Sequence, residues 1–211
     1  MELRTRTDKI RQILRRLYPE AKTPLYHETP FQLLVATILS AQCTDRQVNR
    51  VSAVLFEHLK TPADFAGAPL KTIEKYIHST GFYHNKAKNI KNCSQEILDT
   101  HGGRVPQTMA ELVKLPGVGR KTANVVLGAA FDTPGMVVDT HVARISRRLG
   151  LTSNKDAVKI EFDLMKIVPQ RAWNDFSLQL IFFGRETCPA RNPKCPACPI
   201  AKLCPWPGKT D

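Results

Sequence analysis

Apolar residues recur along this chain with helical spacing from near its start to about residue 186. Ile10, Ile13, Leu14 and Leu17 stand at i, i+3, i+4 and i+7, with Arg11, Arg15 and Arg16 between them. That pattern predicts an amphipathic first helix with a basic outer face. Four threonines each precede an apolar run and stand three residues ahead of a side chain that can reach back, the signature of a helix start. Thr29, with Pro30 and Gln32, opens a helix through Ser40, and Thr44, with Gln47, opens one to about Leu59. Thr61, with Pro62 and Asp64, begins a short helix, and Thr108, with Glu111, begins one ending near Leu115. Further helices are expected over 73–78, 86–100, 120–130, 141–149, 155–168 and 172–184. No stretch of period-two alternation bounded by hairpin residues appears, so the expected class is all-α. The pattern changes once, after Glu186, where Pro and Cys replace helix formers.

Composition adds a partner to this picture. The 211 residues carry 31 Lys plus Arg against 19 Asp plus Glu, a formal net charge of +12, on a chain that is 42% hydrophobic. A chain of this size buries roughly 70% of its unfolded surface, so the charge belongs to a folded protein and favours a polyanion, most simply nucleic acid. The longest apolar run, Leu33–Leu39, is far short of the roughly 20 residues of a membrane span. The start, MELRTRTDKIRQ, has no apolar targeting segment; a cytoplasmic, nucleoid-associated monomer without a membrane partner is expected.

Leu115-Pro116-Gly117-Val118-Gly119-Arg120-Lys121 joins two of the expected helices. Pro116 stops the first, and the glycines allow close approach of a ligand to the main chain. The N–H groups opening the second helix suit a phosphate, and Arg120 adds charge; a plain helical turn is the bland alternative. Lys121 follows in the first turn, where an amine can serve as a nucleophile forming a Schiff base or simply contact phosphate. Asp139, ahead of Thr140-His141-Val142, reads first as a helix cap.

Cys188, Cys195, Cys198 and Cys204 crowd one short segment with spacing x6, x2 and x5. In a reducing compartment this signals a metal more than disulfides. The uneven spacing suits a [4Fe–4S] cluster, with structural zinc as the alternative. Cys43 and Cys93 are expected to be buried free thiols on helices.

LPGVGRKTANVVLGAAF followed by VVDTHVARISRRLG resembles the helix-hairpin-helix DNA glycosylase superfamily, and within it the endonuclease III family of bifunctional glycosylase and abasic-site lyases. The resemblance extends upstream to LLVATILSAQCTD and GFYHNKAKNI and downstream to the four cysteines, covering nearly the whole chain in order. It implies a six-helix domain over 22–134 that includes the hairpin at about 108–131. It also implies a second helical domain, from 1–21 plus 135–211, carrying one [4Fe–4S] cluster on Cys188, Cys195, Cys198 and Cys204. The implied activity is excision of oxidised pyrimidines from duplex DNA in base-excision repair, with strand cleavage at the abasic site. In it Lys121 attacks C1′ of the damaged nucleotide and Asp139 stabilises the positive charge developing there; relatives that lack the lysine activate water instead. Gln42 matches a glutamine that fills the space left by the extruded nucleotide. Phe82 stands where well-known members carry leucine, and can wedge between bases. Gly117, Gly119, Arg120, Arg191 and Lys194 are assigned to the DNA backbone, and Asp45 and His141 to the pocket. Lys86, Lys88 and Lys91 are expected to add to the DNA-facing charge. The rival readings are a non-catalytic helix-hairpin-helix DNA-binding module, which leaves Lys121 with Asp139 unexplained, and an electron carrier, which leaves the large helical body unexplained.

Overall fold

The computed structural model describes residues 1–209. Among these every regular element is a helix, and none is long and apolar enough to cross a membrane. The chain forms two compact units, one of residues 24–133 and one of residues 1–23 with those from 134 onward.

Helix α1 (Leu3–Leu17) belongs to the second, split unit. The contiguous unit contains α2 (Pro30–Leu39), α3 (Asp45–His58), α4 (Pro62–Gly67), α5 (Leu70–Ile77), α6 (Tyr83–His101), the single-turn α7 (Met109–Leu112) and α8 (Arg120–Phe131). Helix α2 is its centre. Nine of its ten residues are buried, and it packs against α3, α6 and α8. A helix apolar on every side has no face to give to water, which is why it is wrapped. Its interior polar groups are satisfied locally: Thr37 donates to Leu33 O at 2.7 Å, and Gln32 Oε1 accepts from Glu28 N at 2.7 Å. Phe31 meets Phe65 of α4 edge to face, centroids 5.5 Å apart.

All four expected threonine caps accept from the N–H three residues on, at 3.2–3.3 Å. Only Thr61 closes a reciprocal box, because Asp64 Oδ2 returns to Thr61 N. Gln47 turns away to Ser79 Oγ instead. Helix α7 ends at Leu112, short of the expected Leu115; successive tight turns (Lys114 N to Glu111 O, Leu115 N to Leu112 O) carry the chain to Pro116. Helix α6 starts at Tyr83, three residues early, because Phe82 takes the left-handed conformation and caps it.

The split unit adds α9 (Thr140–Arg148), α10 (Ala157–Ile167) and α11 (Trp173–Glu186). Helix α11 packs on α1 and α9, around Ile10, Leu14, Val142, Ile145, Phe176, Leu180 and Phe183. Leu17, expected on the inner stripe of α1, is instead exposed, because the buried stripe is the narrower Thr7–Ile10–Leu14 line. Arg6 fastens the helix to distant sequence, donating to Leu149 O at 2.7 Å and Gly150 O at 3.0 Å.

Candidate functional site

The hairpin loop assigns different work to its two glycines. Gly117 has φ +77, and a Cβ there would lie 2.8 Å from Cβ of Asn89 on α6. Conformation and packing both demand glycine at that position. Gly119 has φ −97 and ψ 175, which any residue can adopt, and open space where a Cβ would stand. Its bareness is therefore not a folding requirement and leaves the main chain open to a ligand. Gly119 is also the N-cap of α8, at the positive end of the helix dipole, and offers no side chain to the first-turn N–H groups. Leu115 and Val118 anchor the loop in the core. Arg120 is half-buried and Lys121 is exposed on the first turn.

Asp139 does cap α9: Oδ1 accepts from Val142 N at 2.8 Å. The cap fixes the carboxylate, while its other oxygen takes no part in that bond. His141 is half-buried, with Nδ1 3.1 Å from Arg144 Nη2. Helix α11 comes so close here that a Cβ on Gly184 would fall 3.1 Å from His141 Cβ. Burial lowers the imidazole's pKa below the usual histidine value, Arg144 and Arg185 push the same way, and Asp139 opposes them.

Two loops of the contiguous unit present the residues expected at the vacated base. Gln42, in the turn after α2, is exposed with φ +53; Phe82, before α6, is 63% exposed with φ +49. Both are left-handed, a conformation that costs a residue with a Cβ about 1–2 kcal/mol. An aromatic ring held in solvent on a strained backbone is a poor folding choice, and such strain gathers at functional sites. Nothing in the apolar pattern marked these two conformations. Asp45 opens α3 and is half-buried.

The lysines that follow behave differently from one another. Lys88 is exposed. Lys86 is not on the DNA-facing surface: it is 5% exposed, and its ammonium donates to Leu39 O and Thr80 O, each at 2.8 Å. Lys91 ties back to Ala66 O and, at 2.7 Å, Ala68 O. Both are spent on main-chain carbonyls at the ends of helices, where a cation is favoured.

The four clustered cysteines line a single recess with Ile145, Leu149, Phe183 and Ile200. Among the described residues no group of three or more His, Cys, Asp or Glu side chains is arranged to hold a metal ion directly. Burial raises the Cys198 thiol's pKa, and the three neighbouring cysteines raise it further, so four thiolates together need a cationic partner. Arg148 supplies part of one. Its Nη1 donates to Cys188 Sγ at 3.1 Å and Pro189 O at 2.8 Å, Nη2 donates to Ala190 O at 2.9 Å, and the guanidinium lies 4.0 Å above Trp206. Arg144 adds a bond to Cys188 O at 3.1 Å. Sequence reasoning passed over both arginines, since they lie some forty residues before the cysteines on α9 and meet them only through the fold. The soft thiol set, apolar recess and nearby guanidinium fit an iron–sulfur cluster. Arg191 and Lys194 stand exposed on the loop, which bends through a left-handed Asn192. Cys93 is buried, its thiol pushed up to about 12 by burial, whereas Cys43 is only half-buried.

Comparison with known proteins gives a consistent result. Residues 35–170 match the model of the HhH-GPD superfamily base excision DNA repair proteins. Endonuclease III of Synechocystis is 52% identical over 201 residues, covering 95% of this chain and 92% of its own length. A solved non-covalent endonuclease III–DNA complex superposes with a TM-score of 0.93 at 44% identity, covering 97% of this chain and 96% of that one. A trapped endonuclease III–DNA covalent intermediate gives the same TM-score and identity, with 97% of each chain covered.

Proposed function

Because the chain belongs to the HhH-GPD superfamily of base excision DNA repair proteins, and within it to the endonuclease III family, we propose that Lys121 and Asp139 carry out its chemistry on damaged pyrimidines. The protein is a base-excision DNA glycosylase and abasic-site lyase whose partner is duplex DNA. Its exposed Lys121, on the first turn of an α8 that lacks a side-chain cap, is the observation that carries the assignment.

The uncharged Lys121 amine attacks C1′ of the damaged nucleotide. The bond from C1′ to the base breaks, its electron pair leaves with the base, and the base takes up a proton. The C1′–O4′ bond then breaks as O4′ takes a proton, and the nitrogen becomes a protonated imine on the opened sugar, which acidifies C2′. Loss of a C2′ proton then expels the 3′ phosphate, and water releases the enzyme. Asp139 stabilises the positive charge that develops at C1′, and its cap bond keeps the carboxylate from swinging. Gly119 and Arg120 receive the DNA backbone at the hairpin, while Arg191 and Lys194 do so at the cysteine loop. Gln42 and Phe82 occupy the space opened when the nucleotide leaves the stack. Asp45 and His141 contribute to recognition of the extruded base.

Cys188, Cys195, Cys198 and Cys204 hold one [4Fe–4S] cluster. Bound there, it supplies four iron–thiolate bonds that fix the loop carrying Arg191 and Lys194. The support is that all four cysteines line one recess. About four iron and four sulfide per chain are expected, with broad visible absorbance; stoichiometric zinc without sulfide would overturn this assignment.

Borohydride trapping tests the chemistry. With duplex DNA bearing thymine glycol or an abasic site, reduction is expected to yield a covalent adduct at Lys121, and none in Lys121→Ala. An adduct of undiminished yield in that variant would remove Lys121 from the mechanism. DNA binding without any adduct in the unaltered protein would favour the non-catalytic binding module.

A further inference from the structure

The buried Lys86 ammonium joins the two segments that lead into the strained loops. Leu39 is the last residue of α2, and the chain leaves it for Gln42. Thr80 is the last residue of the short helical turn after α5, and the chain leaves it through Gly81, φ +70, for Phe82. One Nζ bonds both terminal carbonyls at 2.8 Å. Lys86 itself is in the first helical turn of α6, and its N–H bonds Phe82 O at 3.1 Å. It therefore grips the Phe82 loop from both ends and the Gln42 loop from its root. Burial pushes the ammonium below the ordinary lysine range. A buried amine is a costly way to satisfy carbonyls that water could serve, unless fixed geometry is what it provides. A second tie, Gln47 Nε2 to Ser79 Oγ at 2.7 Å, joins the same two regions at the surface.

We propose that Lys86 is a positioning residue: its ammonium clamps the Leu39 and Thr80 carbonyls so that Gln42 and Phe82 are presented together, as one rigid wedge, to the space left by an extruded nucleotide. The proposal rests on the wedge role assigned above to Gln42 and Phe82. A preformed wedge matters most when the target is paired and stacked, because opening such a site costs the most. When the opposite strand has no base to be held apart, the clamp becomes dispensable.

Lys86→Met keeps the aliphatic stem and removes the donors. It is measured on a duplex with thymine glycol opposite adenine, and on the same duplex with a baseless residue opposite the lesion. Loss of kcat/KM of about tenfold is expected on the paired substrate, shrinking to under about threefold on the other. Lys86→Arg, which keeps charge and donors, restores part of the loss. Equal losses on both substrates, or none, would overturn the proposal. Gln42→Ala and Phe82→Ala are run alongside. If they show no difference between the substrates, the wedge assignment itself fails; if they do and Lys86→Met does not, the clamp alone fails. Should Lys86→Met not fold, the unaltered protein still decides the matter. NMR of lysine-labelled protein is expected to show a Lys86 ammonium protected from solvent exchange, with through-bond couplings to the carbonyl carbons of Leu39 and Thr80; a rapidly exchanging, uncoupled ammonium would refute the clamp.

Discussion

At the scale of single residues, chemical type was readable and environment was not. Lys121 and Asp139 take their catalytic roles from the family resemblance; by residue type alone the first equally suits a phosphate contact and the second a helix cap. Lys86 and Lys88 look alike in the sequence, yet one is interior and the other exposed. Which lysine turns inward depends on the helix ends that converge on it from elsewhere in the chain. His141 carries a prediction of this scale. Its pKa lies below 6.5, first through burial and then through Arg144 and Arg185. As pH falls through 6.5 the unfolded chain takes up a proton that the folded protein still refuses, so stability decreases until the folded pKa is passed and then levels off. Denaturant titrations at pH 7.5 and 5.5 are expected to show a larger loss for the unaltered protein than for His141→Gln. Identical losses would mean that the imidazole titrates normally.

Among the elements, starts were more legible than ends. A threonine cap is a local event, and all four expected caps form. The left-handed backbone at Gln42 and Phe82 has no local cause in residue type, since glutamine and phenylalanine both resist it. The hairpin permits a direct separation of folding from recognition. Gly117→Ala is expected to destabilise by about 1–3 kcal/mol, because φ is positive and Asn89 is in the way. Gly119→Ala is expected to change stability by no more than about 0.5 kcal/mol while weakening DNA binding, because only the ligand would meet the new methyl. Thermal melts and binding titrations of the two variants check this, and a Gly119→Ala variant with unchanged affinity would take that residue out of the backbone contact.

At the scale of the whole molecule, the charge of +12 pointed to a polyanion, and Lys86, Lys88 and Lys91 were all expected to share in meeting it. The structure apportions it, since an ammonium already bonded to main-chain carbonyls is withdrawn from phosphates. Each of Lys88→Ala, Arg191→Ala and Lys194→Ala is expected to reduce the slope of log affinity against log salt by about one, while Lys91→Ala leaves it unchanged. A reduced slope for Lys91→Ala would show that its carbonyl bonds open on DNA. All-helical architecture was legible because helix-start signals and helical apolar spacing recur along the chain and no period-two alternation appears. The narrow stripe of α1 was not, because its width is set by α10 and α11, far along the chain. That long-range dependence also bears on how the protein is made. The contiguous unit, α2–α8, can close as soon as it has left the ribosome, since domains fold as units during synthesis. Helix α1 emerges ahead of that unit, but its buried stripe has no cover until α10 and α11 have been synthesised. For most of translation the nascent chain therefore carries an uncovered amphipathic helix ahead of a finished domain, making α1 the segment on which a chaperone would act.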